Sequence, residues 1–496
     1  MFDLGANPTS RKLEYIAVLI VVLAPMIRPG DTQWIQDEPK LIGTALQLNQ
    51  MPSRVAGIDL PFTIPSHGNI STRGPYQGPL AVWFYQICLA FTHDPLVLMR
   101  MRALFFMGVT AWGLIWIADA TGCSRWLVPV SLLSPWFWFY SRQLWDGSLC
   151  IPMSALALGA YGRFLKNYRP AALCLAIGLS FAMALLNLQT AALLAPMALH
   201  MLIFQWRGLF RYKWPILSIV VISLCLGFRY LQFSVVMYST RELSGYSPID
   251  GWFEPLLGFN YLSGAKIGVM LESNWASILG GPWKALVPAA QAVSAIVYPL
   301  SWIGMVLACR SAAKCFARRG QIGPMDHLAL ISLGVLVGQI ILDGLERLYD
   351  DPHYFNTSWI ALVVFVWMAV KWIAGMIPAW AAVAALAIDA SALALVLVAA
   401  IWLIARDGGT RQIGFGTVLS EQIRAAQQIA QYDPSSPCDF QIEQWHKYPW
   451  ACDTLEELMG QTNRSGPVRK LTVRYRNPYP DARITVDVEP PGENAP

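Results

Sequence analysis

Arg11-Lys12 stands before Leu13-Glu14-Tyr15-Ile16-Ala17-Val18-Leu19-Ile20-Val21-Val22-Leu23-Ala24-Pro25-Met26-Ile27, and Trp34-Ile35-Gln36-Asp37-Glu38-Pro39-Lys40 follows soon after. A basic pair ahead of an apolar run resembles a signal peptide, but there is no small-residue cleavage site, so a retained signal anchor with its basic end inside is expected. Arg28 then emerges outside, and the carboxylate pair Asp37-Glu38 comes to lie at a membrane surface. Ionised groups are costly to hold there without a task.

Working outward, the 496 residues are 55% hydrophobic and only 14% charged, with 21 tryptophans. A soluble domain carries about 25% charged residues, so the chain reads as an all-α polytopic membrane protein. The net charge of +5 matters less than where the cations cluster. In such a chain clusters of Lys and Arg report topology, and no nucleic-acid partner is expected. The nine cysteines show no CxxC and no metal-ligand spacing. Cys438 and Cys452 differ from the rest, because both lie in the polar C-terminal region and are available for a disulfide if it faces an oxidising compartment.

The first outer loop, 28–95, is rich in Pro, Gly and polar residues. Within it Asp37 is placed to cap a helix whose first turn tolerates Pro39. Leu41, Ile42, Ala45, Leu46 and Leu48 then form an apolar stripe, expected to lie along the membrane surface. The stretch 79–91 is apolar but shorter than the roughly 20 residues a span needs, and reads as a second interfacial helix.

Spans are expected at 13–27, 96–118, 126–140, 148–161, 171–186, 190–204, 214–233, 285–308, 328–345, 354–370 and 377–404, about eleven in all. This assignment leaves Arg163, Lys166 and Arg169, then Arg207, Arg211 and Lys213, then Arg310, Lys314, Arg318 and Arg319 inside, as the positive-inside rule asks. A long outer loop at 234–284 and the region 406–496 fall outside. In the latter, 417–431 reads as an amphipathic helix and 471–475 and 483–488 alternate like strands, giving a small α+β outer domain beyond a transmembrane domain of 1–405.

Asp37 and Glu38, His67 and Arg73, Arg100 and Arg102, Arg142 and Asp146, and the group Glu346, Arg347, Asp350, Asp351, His353 and Tyr354 all map to outer loops or outer ends of spans. Only Asp389 falls near the middle of one. A transporter or flippase of a lipid-linked saccharide, the alternative reading, would carry several ionisable groups at mid-membrane or an internal repeat. Neither is evident. Groups gathered at one interface suit chemistry on a lipid head group: cations to hold a departing phosphate and a carboxylate to take a proton from an incoming hydroxyl.

The order of these features resembles the GT-C glycosyltransferase superfamily, specifically bacterial members related to aminoarabinose transferases and protein O-mannosyltransferases. The resemblance is carried by Gln36-Asp37-Glu38, by Gly78-Pro79-Leu80, by Asp94-Pro95 with Arg100 and Arg102, by Tyr140-Ser141-Arg142-Gln143-Leu144-Trp145-Asp146, and by Arg347 with His353-Tyr354. It implies transfer of a sugar from a polyprenyl-phosphate donor to an acceptor that the sequence does not name, at the periplasmic face of a bacterial inner membrane.

By the same resemblance Asp37 is the base, Glu38 its partner and Asp146 a second acid. Arg142, Arg347, His353 and Tyr354 are donor contacts, and His67 and Arg73 join them as substrate-binding candidates. No metal is obligatory, with magnesium or manganese an option at the three acids. The family's proline after its His-Tyr pair is replaced here by Asn356-Thr357-Ser358-Trp359.

Each of these residues also has a plainer use. Asp37 and Glu38 suit the start of any surface helix, and Arg142 and Asp146, four apart, suit a helical ion pair. His67 reads as a solvated loop residue, Arg100 and Arg102 as lipid head-group anchors, and Trp136, Trp138, Tyr140 and Trp145 as an interfacial aromatic belt.

Overall fold

A computed structural model of the chain describes residues 8–32, 34, 37–50, 79–142, 148–186, 190–240, 262–264, 267–269, 271, 274–317, 322–346, 357–409, 417–432, 438–442, 455, 458–460, 469–476 and 485–489. In chain order the helices are α1 (Pro8–Leu23), α2 (Asp37–Gln50), α3 (Pro79–Leu89), α4 (Pro95–Thr121), α5 (Leu127–Leu132), α6 (Pro135–Arg142), α7 (Cys150–Asn167), α8 (Pro170–Ala184) and α9 (Ala191–Phe204). They continue with α10 (Trp206–Arg211), α11 (Lys213–Thr240), α12 (Trp275–Leu279), α13 (Trp283–Ser294), α14 (Val297–Ala317), α15 (Pro324–Glu346), α16 (Trp359–Ala374), α17 (Ala379–Asp407) and α18 (Leu419–Tyr432). Short 3-10 turns at Ala24–Met26 and Pro29–Asp31 lead out of α1.

Four stretches among the described residues are long and apolar enough to cross a membrane: Pro95–Thr121, Trp283–Ala317, Pro324–Gly344 and Ala379–Asp407. In α1, Glu14, Val18 and Val22 are buried at four-residue spacing while Leu13, Ile16, Leu19 and Ile20 are exposed, so one face meets protein and the other is left for an apolar surrounding.

Helix α4 is the post of the assembly. Its start is set by Asp94, whose carboxylate accepts from Leu96 N at 2.8 Å, with Pro95 in the first turn. Its end is set by Gly122 in the left-handed region, φ 67°. It crosses α7 at backbone contact. A side chain at Gly113 would strike the Ala155 carbonyl group, and a Cβ at Gly159 would come within 2.5 Å of the Gly113 carbonyl oxygen. Small residues permit this approach where lipid supplies no hydrophobic drive between helices.

At the C-terminal end of α4, Lys371 Nζ donates to Thr121 O at 2.6 Å, Lys166 Nζ to Asp119 O at 2.6 Å, and Arg125 pairs with Asp119 at 2.8 Å. Cations at a helix C-terminus answer its carbonyls and its dipole.

Several expectations change. The stretch 126–140 is not one helix but α5 and α6, separated before Pro135, and 285–308 is divided between α13 and α14 at residues 295–296. Proline at a helix start and the lack of a free N–H within one account for the first break. The stripe Leu41, Ile42, Ala45, Leu46 and Leu48 is buried inside the protein rather than laid on a membrane surface. Helix α2 packs on α3, and the pair is tied where Gln86 Nε2 donates to Asn49 Oδ1 at 3.1 Å.

Beyond α17 a three-stranded sheet runs β1 (Cys438–Ile442), β2 (Arg469–Arg476), β3 (Thr485–Glu489), in that order. β1 and β2 are parallel with Cys438 opposite Arg469, and β2 and β3 are antiparallel with Thr472 opposite Glu489. Helix α18 packs against β3.

Candidate active site

The chain leaves α1 through a turn that sequence alone does not reveal. Arg28 adopts the left-handed region, φ 56°, which costs an L-residue roughly 1–2 kcal/mol. This turns its carbonyl toward Arg142, the last residue of α6, which donates to it. The same guanidinium donates from Nε to Thr32 Oγ1 at 3.1 Å and lies with Cζ 4.3 Å from the centre of the Trp138 ring. The Arg28 side chain folds back onto Asp31 at 2.8 Å.

Arg142 is 3% exposed. Burial pushes its pKa down to about 10, with Asp31 pulling upward and Arg28 downward, so it stays cationic at neutral pH. Its Nη1 is buried and has no hydrogen-bond partner among the described residues. A cation held this way, on an aromatic face with one donor still unused, is equipped to take an anionic oxygen.

Trp138 belongs to a wall of aromatic rings. Trp359, at the start of α16, meets Trp136 at 6.2 Å, Phe137 at 5.4 Å and Tyr140 at 5.4 Å, all edge-on. The interfacial belt expected of Trp136, Trp138 and Tyr140 is therefore corrected: all three are buried. Edge-to-face pairs of this kind favour a packed core over a lipid boundary.

Behind Trp359, Ser358 donates to Gln339 Oε1 at 2.9 Å and Gln339 donates to Asp343 Oδ1 at 2.7 Å, a buried polar run joining α15 to α16.

Arg102 is the second correction. It is 0% exposed, and it donates to Tyr140 O at 2.9 Å and Ser148 Oγ at 3.1 Å instead of reaching a head group. Arg100, two residues earlier, is exposed as an anchor would be.

The C-terminal region touches the same turn. Leu419 N, at the start of α18, donates to Thr32 O, and Gln422 Nε2 reaches Trp34 O at 3.5 Å. Trp34 itself is buried with its indole N–H on Met99 Sδ at 3.2 Å.

Of the residues singled out from sequence, the structure thus places Arg142 in this cluster, beside the Arg28–Thr32 turn and a few residues before α2 opens at Asp37. The side chains of Asp37 and Glu38 lie outside the described residues, as do Asp146, Arg347, His353, Tyr354, His67 and Arg73. The ion pair of Arg142 with Asp146 and the Cys438–Cys452 disulfide also lie outside them. Among the described residues no three or more His, Cys, Asp or Glu side chains gather to hold a metal.

Sequence reasoning misses Asp31, Thr32, Asp343 and Trp359. Arg28 and Asp31, three apart around Pro29-Gly30, carry a local signal of a turn closed by an ion pair. Trp359 carries none, because its partners lie more than 200 positions away.

No protein-family model matches the chain, and no curated protein matches it. Solved structures do. ArnT from Cupriavidus metallidurans in the apo state superposes with a TM-score of 0.54 at 13% identity, over 95% of this chain and 92% of that one. ArnT from the same organism bound to undecaprenyl phosphate gives 0.50 at 13% identity, over 97% and 98%. With its long apolar helices and a likeness that runs nearly end to end, the chain is a multi-pass helical membrane protein with the fold of ArnT.

Proposed function

We propose that the chain is a membrane glycosyltransferase that moves a sugar from a polyprenyl-phosphate donor to an acceptor at the periplasmic face of a bacterial inner membrane. The observation that carries this reading is Arg142: a buried cation with a spare donor, beside the first outer turn, in a fold shared with a protein whose structure holds undecaprenyl phosphate.

In the proposed reaction the acceptor hydroxyl attacks the anomeric carbon and the bond from that carbon to the phosphate oxygen breaks. Polyprenyl phosphate leaves with the bonding pair, and the hydroxyl proton passes to Asp37. Attack opposite the leaving group inverts the anomeric centre. Arg142 and Arg347 meet the negative charge that grows on the departing phosphate, where fixed donors are worth most. Glu38 and Asp146 support the base and the acceptor, and His353, Tyr354, His67 and Arg73 complete donor binding. Two guanidinium groups suffice for the phosphate, so no metal is required in this scheme. About eleven membrane passes, with 1–405 as the catalytic domain and 406–496 as an outer α+β domain, complete the proposal.

Transfer from a panel of radiolabelled polyprenyl-phosphate sugars by membranes holding wild type or Asp37→Asn tests the reading. Wild type is expected to transfer or release label from one donor. Asp37→Asn is expected to bind that donor without cleaving it. Label that crosses between leaflets uncleaved in both would replace the enzyme by a transporter.

A further inference from the structure

We infer that the connection between α9 and α11 is a seat for an anionic phospholipid, its phosphate held by Arg207, Arg211 and Lys213 and its chains by the apolar faces of the two flanking helices. The seat lies far from Arg142. Ser148, just before α7, accepts from Arg102 beside the end of α6, whereas Gly208 of α10 rests on Phe164 in the last turn of α7, where a Cβ would stand 3.2 Å from the ring. The two ends of α7 are roughly 20 Å apart at the rise of an α-helix. The seat therefore occupies the opposite side of the bundle.

The sequence holds no aspartate or glutamate from Gly147 to Arg241, so the cations of this stretch have no neighbouring carboxylate along the chain. Those on α7 find other partners: Arg163 lies 4.6 Å from the centre of the Trp116 ring, and Lys166 donates to the Asp119 carbonyl. Arg207, Arg211 and Lys213 are exposed, and no carboxylate among the described residues forms an ion pair with them. Each lies instead over the ring beside it, Trp206 at 5.5 Å, Tyr212 at 5.7 Å and Trp214 at 5.5 Å.

A plainer account has these cations snorkelling to whichever lipid passes, as at any helix end. That account fits a cation standing alone. Here three are drawn into the seven residues 207–213, and Arg207 and Arg211 stand four apart on one short helix, a spacing at which like charges oppose the helix. An anion between them reverses the sign, and the ring faces keep the cations in place for it.

The surroundings select a lipid over a free anion. Trp206, Phe210 and Trp214 are 50%, 69% and 69% exposed, and Leu202 on α9 and Leu217 on α11 are exposed beside them. Tryptophans at head-group level with cations alongside are suited to an anionic leaflet, and the leucines continue the same surface toward the acyl chains.

The test uses the full-length protein in mild detergent, with phosphatidylglycerol as the probe and phosphatidylcholine of the same chains as the reference, bound lipid being read by native mass spectrometry. Wild type is expected to retain the probe in preference to the reference. Arg207→Gln with Arg211→Gln is expected to weaken probe binding roughly thirty-fold, the scale of two charges withdrawn from an anionic surface. Arg207→Lys with Arg211→Lys, which keeps both charges, is expected to preserve most of it. Arg310→Gln with Lys314→Gln removes the same charge from the exposed end of α14 and is expected to leave probe binding unchanged.

Equal binding of the two lipids by wild type overturns the inference. An equal loss in the α14 pair does so too, because the attraction is then diffuse and there is no seat. Displacement of the probe by soluble glycerol phosphate would show an anion site that needs no lipid. If the double glutamine variant melts lower without lipid yet keeps its probe affinity, the cations serve the fold alone and the inference is wrong.

Discussion

Replacing Arg142 with lysine keeps the charge and removes the fork. In the native arrangement the guanidinium serves Thr32 Oγ1 at 3.1 Å and the Arg28 carbonyl together, and stacks 4.3 Å from the Trp138 ring centre. A single ammonium on a thinner stem retains one of these two acceptors and part of the ring contact. The loss is therefore about one charge-assisted hydrogen bond, roughly 1.5–3 kcal/mol, with the left-handed Arg28 backbone left less supported.

The choice of assay follows from that figure. In a chain of 496 residues, where unfolding entropy grows by about 2.1 cal/mol/K per residue, a loss of ~2 kcal/mol moves the melting temperature by only about 2 °C. Spent on ligand affinity, the same energy changes a dissociation constant about thirty-fold. Undecaprenyl phosphate binding is the sensitive measurement, and Arg142→Lys is expected to weaken it by an order of magnitude.

A double-mutant cycle with Thr32→Val isolates the bond between the two side chains, with a coupling of about 1–2 kcal/mol expected for neighbours in one network. Binding within two-fold of wild type together with an additive cycle would refute the assignment of Arg142 as an organised phosphate ligand.

Two further outcomes follow from packing. Gly113→Val drives a branched side chain into the Ala155 carbonyl at the α4–α7 crossing; overpacking of this kind costs about 1–3 kcal/mol or more, and a lower detergent melting temperature with reduced monodisperse yield is expected. Gln422→Leu conserves volume but strips a buried donor from Thr417 O at 2.9 Å and Trp34 O at 3.5 Å. Each carbonyl left unmet costs about 1–3 kcal/mol, and limited proteolysis is expected to release the C-terminal region sooner while α1 to α17 persist.

Much of this protein is legible in its amino-acid order alone, and the reasons are local. The 55% hydrophobic content and the spacing of apolar runs mark a polytopic chain, because a span must satisfy its backbone within itself and so declares its length in sequence. Pro95 after Asp94 announces the start of α4, and Gly122 its end, since both residues act through their own backbone. Arg142 is legible as a candidate from its place beside an acid at the end of an apolar run.

Asp31 escapes such a reading because its role depends on Arg28 adopting a left-handed turn. Trp359 escapes it because its partners sit on α6.

Arg100 and Arg102 show where local reasoning stops. Two residues apart on one helix, they point about 200° away from each other, so one is exposed while the other is fully buried. Nothing in Arg-Met-Arg says which. The same holds for Trp136 and Trp138, which have the composition of a membrane belt and the burial of a core. The membrane class and the apolar runs are written in composition and order, because the cost of burying charge in lipid acts on every segment by itself. Which arginine faces inward, and what it holds, is decided by helices from distant parts of the chain closing on one another, because burial belongs to the packed assembly and not to the residue.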